Sequence, residues 1–203
     1  MSKTTGLDFI LDQLQAESPA GYFAGMHIRF AGPLVQYHTY DQKWIDRYTE
    51  NGYALRDPMV AWGFLKEGAT RWSDIKLPDL FNILQEAREF GLKYGVVVAT
   101  GPLSSRSIVG CARPDREFDD DEIERITRLV QTLHEVTDPP ESLTDAQREA
   151  LQLIADGYRH TAAAAKLGIS ESALKARLNS ARNRLLARTT AEAIQRAKDY
   201  RLL

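Results

Sequence analysis

The chain has 203 residues and a formal net charge of −2, with 43% hydrophobic and 27% charged residues, a composition typical of a folded globular protein. Its apolar runs, such as Val96–Ala99, are far below the ~18 residues of a membrane-spanning helix, and no secretory segment follows Met1, so we expect a cytoplasmic protein. The single cysteine, Cys111, excludes an intrachain disulfide and a multi-cysteine zinc site.

Apolar periodicity in the first two thirds of the chain predicts an α+β domain. The predicted helices and strands follow in chain order: helix 7–16, strands 22–29 and 33–38, helices 41–51, 58–66 and 79–90, strands 96–101 and 107–112, and helix 119–136. Strands that alternate with helices in this order favour an α-β-α sandwich with a central antiparallel sheet.

Aromatic residues and a carboxylate gather around two of these helix starts. Asp41 is expected to cap a helix that carries Trp44 and Tyr48 one turn apart on one face, and Asp57 is expected to cap the next helix, with Pro58 at its first position. Each feature alone is also typical of ordinary core packing or capping. Together they form the pattern Trp44-x3-Tyr48-x8-Asp57-Pro58-x13-Trp72, preceded by Tyr40.

The last helix of this domain begins with four acidic residues, 119–122. Their charge suits a helix N-terminus, which explains them better than a metal site does. The apolar stripe that follows can serve as core, as a dimer seam or as both. The four histidines have no ligand spacing, so neither a metal ion nor a cofactor is expected.

A short linker is predicted at 137–142, where Pro139 and Pro140 interrupt helical structure. Charge changes sign across it: residues 1–141 carry 15 Lys and Arg against 22 Asp and Glu, whereas residues 142–203 carry 11 against 6. The sequence therefore predicts domains at 1–136 and 143–203, of which only the second is suited to approach a polyanion.

The second domain is predicted to contain four helices. Capping-box patterns begin the first at Thr144 and the fourth at Thr189, while Gly168 ends the second and Ser170 caps a third at about 171–187. The second and third helices with the tight turn between them form a helix-turn-helix pattern.

The third helix has one apolar and one basic face. Leu174, Leu178, Ala181 and Leu185 recur at helical spacing and are expected to face the core. Polar and basic side chains that can contact phosphates or base edges remain outside. These candidate DNA-binding residues are Ser172, Lys175, Arg177, Asn179, Arg182 and Arg184.

This second domain resembles the LuxR-type helix-turn-helix. The residues that carry the resemblance are Leu143-Thr144, Glu149, Leu151, Gly157, Ile169-Ser170, Arg184-Leu185, Ala193-Ile194, Ala197 and Leu202-Leu203. The resemblance implies a homodimer that binds double-stranded DNA at two half-sites, with RNA polymerase as a further partner.

The aromatic–carboxylate pattern of the first domain resembles the autoinducer-binding domain of the LuxR/TraR quorum-sensing family. The resemblance implies an N-acyl homoserine lactone ligand whose amide N–H is accepted by Asp57, whose lactone carbonyl is bound by Trp44, and whose acyl carbonyl is bound by Tyr48. Trp72 would pack against the lactone ring, and Tyr40 would contact a 3-oxo group of the acyl chain, as the corresponding residue does in some relatives. The expected tail-lining residues are Tyr53, Trp62, Leu65 and Val97.

Three functional hypotheses follow. The first is a transcriptional regulator that responds to an acyl-homoserine lactone, which the set of polar residues favours. The second is an orphan regulator of the same type that responds to another small molecule or acts without a ligand as a DNA-binding or sequestering dimer. The segment before the first strand is short for this family, which favours this second hypothesis. The third, a lactone- or amide-processing enzyme, lacks a histidine positioned as a general base, so we do not expect an enzyme.

Overall fold

Two compact units contain most of the chain, one within residues 5–137 and the other within 138–203. The computed structural model describes residues 3–29, 32–138 and 142–203. The two prolines of the predicted linker, Pro139 and Pro140, lie outside these ranges.

The first unit is built on a five-stranded antiparallel sheet. Its strands are β1 (Tyr22–Arg29), β2 (Gly32–His38), β3 (Gly68–Arg71), β4 (Tyr94–Thr100) and β5 (Arg106–Arg113), in the order β2-β1-β5-β4-β3. Strand β3 was not predicted, because its sequence Gly-Ala-Thr-Arg has no apolar run.

Helices cover both faces of this sheet. They are α1 (Lys3–Glu17), α2 (Gln42–Glu50), α3 (Pro58–Leu65), α4 (Ile83–Glu89) and α5 (Asp120–Val136). Alternation along β4 separates two cores: Val96 and Val98 pack with residues of α1 and α5, whereas Val97 and Ala99 pack with residues of α2, α3 and α4. The α+β prediction is therefore confirmed for this unit. Because successive side chains of a strand point to opposite faces of the sheet, each helical layer has its own core.

Side-chain caps set where the helices begin. Asp41 accepts a hydrogen bond from the Lys43 N–H at 2.8 Å, so α2 begins at Gln42. Helix α4 begins at Ile83, not at 79 as predicted, because the Asp79 carboxylate accepts from the N–H groups of Ile83 and Leu84 at 2.9 and 2.8 Å. The segment before Ile83 is thus a side-chain-capped turn.

His134, near the end of α5, meets a histidine of β1 that is far from it in the sequence. The buried ring of His27 stacks on that of His134 with centroids 4.3 Å apart, and each ring contacts a serine: His27 Nδ1 lies 2.8 Å from Ser105 Oγ, and His134 Nδ1 lies 2.8 Å from Ser107 Oγ. His27 Nε2 also lies 3.0 Å from the His134 carbonyl. These contacts join the end of α5 to the sheet, a pairing that sequence spacing did not predict.

The second unit contains α6 (Asp145–Ala155), α7 (His160–Leu167), α8 (Glu171–Arg184) and α9 (Thr190–Asp199). The predicted apolar face of α8 lies in the core of this unit, where Leu174, Leu178, Ala181 and Leu185 are buried. Gly168 ends α7 in the left-handed conformation at φ 64°, as expected of a C-terminal cap. Helix α8 ends at Arg184, three residues before its predicted end. Within the described parts of both units, no helix is long and apolar enough to cross a membrane.

Candidate functional site

Three residues of the predicted motif meet on the helical face formed by α2 and α3. Trp44 and Tyr48 lie one turn apart on α2, with ring centroids 5.7 Å apart in an edge arrangement. Asp57 stands at the N-cap of α3, and the Tyr48 hydroxyl donates to its Oδ2 at 2.8 Å. The structure therefore brings the carboxylate and both rings together.

Asp57 is a buried carboxylate, with 3% of its surface exposed. Its Oδ1 accepts the Met59 N–H at 2.7 Å, and the Val60 N–H also interacts with the carboxylate. Burial raises the pKa of Asp57 above its ordinary value, while the hydrogen bond from Tyr48 opposes that shift. Burial and the adjacent carboxylate raise the pKa of Tyr48 as well, so the phenol keeps its proton and acts as a donor.

Aromatic rings surround this pair. Tyr53 follows α2 in a short 3-10 helix, and its ring lies 5.7 Å from Tyr48 and 6.2 Å from Trp44, measured between centroids. Phe90 approaches Trp44 from the end of α4 at 5.4 Å. The Tyr53 hydroxyl donates to Glu86 of α4, a residue that the sequence analysis did not single out. The rings form an apolar wall beside a single buried carboxylate.

Tyr40 joins the same region from the segment before α2. Its hydroxyl donates to the Gly110 carbonyl of β5 at 2.8 Å, and burial raises its pKa well above the ordinary value. A Cβ atom on Gly110 would lie 3.4 Å from the Tyr40 hydroxyl oxygen. The hydrogen bond thus joins the segment before α2 to β5.

Trp72 packs flat on the sheet over β4. A Cβ atom on Gly95 would lie 2.1–2.4 Å from atoms of the Trp72 indole, so only glycine fits beneath it. The indole N–H of Trp72 is buried and has no hydrogen-bond partner in the described part of the chain. A buried donor of this kind costs free energy until an acceptor reaches it.

A cavity of about 330 Å³ opens next to these residues, between α2 and the β1–β2 edge of the sheet. It is lined by Phe23, Pro33, Gln36, His38, Tyr40, Trp44, Ile45, Tyr48, Thr49, Gly52 and Ala54. Asp57 and Trp72 are not in its wall. Because Tyr48 lines the cavity and also donates to Asp57, it stands between the open space and the buried carboxylate.

The expected tail-lining residues divide into two groups. Tyr53, Trp62 and Val97 all belong to the core that contains Trp44 and Trp72. Leu65, at the end of α3, is 69% exposed, so its assignment to the tail pocket was wrong. The last turn of α3 points this side chain to the surface.

The outer face of α8 presents the candidate DNA-binding residues unevenly. Ser172, Lys175 and Asn179 are exposed and lie at spacings of three and four, so they share one side of the helix. None of the three has a hydrogen bond or ion pair with the described residues. This side of α8 is therefore open to a partner.

The arginines of α8 are partly engaged. Arg177 lies 4.0 Å from the Glu149 carboxylate, and the Arg184 Nε donates to the Ser142 carbonyl at 2.8 Å. Arg182 is half-buried, with its Nε unpaired among the described residues. Arg184 thus fixes the start of the second unit in addition to carrying charge.

Among the residues placed by the structure, no group of three or more His, Cys, Asp and Glu side chains could hold a metal ion. The polar groups gathered at the site are the aromatic donors and the buried Asp57 carboxylate. Such groups bind and orient a small molecule of mixed polarity.

Comparison with known proteins identifies the family. Residues 29–137, more than half of the chain, match the model of the autoinducer binding domain. The HTH-type quorum-sensing regulator RhlR of Pseudomonas aeruginosa is 31% identical over 160 residues, which are 71% of this chain and 66% of that protein. The transcriptional activator protein RaiR of Rhizobium etli is 30% identical over 184 residues, which are 80% of this chain and 74% of that protein.

Solved structures show the same fold. SdiA in complex with octanoyl-rac-glycerol has a TM-score of 0.54 at 17% identity, covering 95% of this chain and 87% of that one. A second structure, of SdiA from Escherichia coli, has a TM-score of 0.52 at 18% identity, covering 100% and 92%. The curated relatives are transcriptional regulators and not enzymes. The chain therefore belongs to the LuxR-type quorum-sensing regulators that contain an autoinducer-binding domain.

Proposed function

We propose that this regulator binds an N-acyl homoserine lactone in its first domain and promoter DNA through its second. The observation that carries the first half is the position of Tyr48, which lines the cavity and contacts the buried Asp57. A carboxylate this deeply buried costs free energy unless it is fully hydrogen-bonded. An amide N–H of a ligand would supply one more donor where the protein offers few.

The polar atoms of such a ligand match the groups that surround the cavity. Asp57 would accept the amide N–H, and the Trp44 indole N–H, which has no partner among the described residues, would donate to the lactone carbonyl. Trp72 would cover the lactone ring. Each contact pairs a ligand atom whose burial would otherwise cost about 1–3 kcal/mol.

Tyr48 has one proton, and it is directed to Asp57 in this structure. To donate to the acyl carbonyl, the Tyr48 hydroxyl would turn away from Asp57 as the ligand amide takes its place. The Tyr40 hydroxyl, which donates to the Gly110 carbonyl in this structure, would turn to donate to a second ligand oxygen near the head of the acyl chain. For Tyr48 and Asp57, one internal hydrogen bond is exchanged for two with the ligand, so both groups stay paired. The Gly110 carbonyl gives up its bond from Tyr40.

Isothermal titration of the full chain with N-butanoyl, N-octanoyl and N-dodecanoyl homoserine lactones tests this assignment. At least one should bind, and Asp57→Asn should weaken it by about 10- to 150-fold, the equivalent of the 1.5–3 kcal/mol of a hydrogen bond to a charged group. Glu50→Gln, an exposed acidic residue of α2, serves as the control and should leave the affinity unchanged. Unchanged affinity in the Asp57 variant would refute the site.

The orphan hypothesis, in which a different small molecule is the signal, is tested alongside. The SdiA structure contains octanoyl-rac-glycerol, an ester with hydroxyl groups in place of an amide and a lactone. The same titration with this compound separates the two ligand classes. Binding of the glycerol ester but of no lactone would favour the orphan regulator.

For the second half of the proposal, we assign residues 1–136 to the signal domain, 137–142 to the linker and 143–203 to a DNA-binding domain in which α7 and α8 form a helix-turn-helix. The exposed side of α8 supports this, because Lys175 and Asn179 are exposed there and have no partner among the residues that the structure describes. Lys175 would contact a phosphate or a guanine edge, and Asn179 an adenine edge. Ser172, Arg177, Arg182 and Arg184 would extend the contact along the duplex.

A homodimer would place two copies of α8 on half-sites one DNA turn apart. Its action at promoters, with RNA polymerase as the further partner, would take place in the cytoplasm. Analytical ultracentrifugation with and without a palindromic duplex measures the oligomeric state and the number of chains bound per duplex. A single chain bound per duplex would refute the dimer.

A further inference from the structure

The floor of the cavity is a series of cross-strand rungs that lead away from the lactone end. In the near rung, Phe23 of β1 lies opposite His38 of β2 and opposite Gly110 of β5, the strand position that holds the Tyr40 hydroxyl. In the next rung, about 7 Å further along, Gly25 lies opposite Gln36 and Ile108. An acyl chain that starts near Tyr40 and follows this floor reaches the second rung.

Because Gly25 has no side chain, the floor of the cavity is open at the second rung. A Cβ atom on Gly25 would lie 3.3 Å from Phe23 Cε1 and 3.5 Å from Pro33 Cβ, and Phe23 and Pro33 both line the cavity. A larger side chain at Gly25 would therefore narrow the space. The floor is left open for a flexible chain at the position next to Gln36.

The β2 side of this space is polar in both rungs, which is unusual for a pocket that only holds a hydrocarbon tail. Gln36 and His38 both line the cavity, both are exposed at the edge strand, and neither side chain has a hydrogen bond with the described residues. His38 stacks on Phe23, with centroids 6.4 Å apart and planes at 15°, so its ring is oriented along the cavity wall. The amide of Gln36 offers two N–H donors and one oxygen acceptor.

A plain alkyl chain would gain little at this position. Burial of each methylene contributes about 0.8 kcal/mol where the surroundings are apolar, but a methylene beside Gln36 and His38 meets polar groups and the open rim. A hydroxyl or carbonyl oxygen there can pair with the Gln36 amide or with the His38 ring.

We propose that Gln36, with His38 one rung nearer the head on the same strand, recognises an oxygen-bearing group on the far half of the acyl chain, so that the signal is an acyl-homoserine lactone with a polar chain end. This inference rests on the proposed function and names the chain chemistry that the same cavity selects. The specificity arises from two residues of the edge strand, outside the motif that holds the lactone and its amide.

A comparison of N-(8-hydroxyoctanoyl) with N-octanoyl homoserine lactone by isothermal titration tests the proposal. In an apolar cavity, the extra hydroxyl would weaken binding by about 5- to 100-fold, because it would lose its hydrogen bonds to water. In this protein, the hydroxylated compound should bind as tightly as the plain one or more tightly.

The variants Gln36→Leu, His38→Leu and the double substitution should reverse this preference, by at least about 10-fold for the double variant. Lys43→Leu is the matched control, since Lys43 is an exposed polar residue of α2 outside the cavity wall, and it should keep the wild-type ratio. Both side chains being exposed, the leucine variants are expected to fold, which urea denaturation verifies.

The outcomes separate the two levels of the proposal. If both compounds bind but the double variant keeps the wild-type ratio, water at the rim accounts for the hydroxyl and the roles of Gln36 and His38 are refuted. A wild-type preference for the plain octanoyl chain by more than 10-fold refutes them as well. If neither lactone binds, the lactone assignment itself fails.

Discussion

The hydrogen bond between Tyr48 and Asp57 is the most directly testable element of the site. The hydroxyl donates to Oδ2 at 2.8 Å, and the acceptor is 3% exposed, so the substitution takes a donor from a buried carboxylate. A hydrogen bond to a charged group contributes about 1.5–3 kcal/mol. Tyr48→Phe should therefore lower the free energy of unfolding of the first unit by that amount at neutral pH.

A double-mutant cycle isolates this interaction from the loss of the hydroxyl itself. In an Asp57→Asn background the partner is neutral, so Tyr48→Phe should cost less than about 1 kcal/mol. The coupling energy between the two positions should then be about 1–2 kcal/mol. Urea denaturation followed by tryptophan fluorescence is the suitable assay, because the three tryptophans, at 44, 62 and 72, all lie in the first unit.

The pH dependence has a defined sign. Burial raises the pKa of Asp57 and the bond from Tyr48 lowers it, so Tyr48 stabilises the charged form in particular. Tyr48→Phe should raise the pKa of Asp57 in the folded state further. The cost of Tyr48→Phe should therefore grow as the pH rises from the already raised pKa of Asp57 in the wild type to the still higher pKa in the variant, and it should be smallest below both, where Asp57 is protonated in both folded proteins.

Tyr53→Phe is the matched control for this cycle. It also removes a phenol that donates to a carboxylate, but its partner Glu86 retains 23% side-chain exposure, so the cost should stay below about 1 kcal/mol. A coupling energy near zero between positions 48 and 57, or equal costs for Tyr48→Phe and Tyr53→Phe, would refute the view that Tyr48 satisfies a buried charge.

Three further predictions concern other parts of the chain. Lys175→Ala combined with Arg182→Ala should weaken DNA binding and reduce the slope of log K against log salt by about 1.8, measured by fluorescence anisotropy; an unchanged slope would remove both residues from the interface. Gly95→Ala should destabilise the first unit by about 1–3 kcal/mol and weaken lactone binding, because the new methyl overlaps the Trp72 indole; a stable variant with wild-type affinity would contradict this packing. Glu122→Gln should lower the free energy of unfolding by about 1–2 kcal/mol at pH 7, because the hydrogen bond from Arg116 lowers the pKa of Glu122 to about 2. This loss should disappear as the pH falls from 4.5 towards 2, and a loss that does not depend on pH would contradict the ion pair.

Local signals in the sequence were sufficient to predict where a helix begins and which of its faces is buried. Asp41 and Asp57 were expected to cap α2 and α3, and both accept the N–H two residues on. The apolar face of α8 was likewise evident from the spacing of Leu174, Leu178 and Leu185. These features depend on residues within a turn or two of one another, so periodicity and capping chemistry identify them.

Features that depend on contacts distant in sequence were missed. Strand β3 has only four residues and pairs with β4, so its extended conformation comes from its neighbour and not from its own composition. The contact of Tyr40 with Gly110 joins residues 70 positions apart. No spacing rule could find it, although a glycine within an apolar strand marks a close approach.

The convergence of three motif residues was predicted from the sequence, whereas the orientation of individual side chains was not. Trp44, Tyr48 and Asp57 converge as the motif implied, but the Tyr48 proton is directed to Asp57 and Leu65 lies at the surface. Side-chain torsions decide both points, and a linear motif contains no information about them. The role of Gln36 and His38 likewise depends on the register of β2 against β1.

The central claim is that the space beside Tyr48 and Asp57 holds the head of an acylated lactone. A crystal structure of the chain grown with N-octanoyl homoserine lactone tests it most directly. We predict the amide nitrogen of the ligand within about 3.2 Å of an Asp57 carboxylate oxygen, with Tyr48 turned to the acyl carbonyl. A ligand bound elsewhere, with the bond from Tyr48 to Asp57 still intact and no ligand atom in contact with Asp57, would contradict the claim.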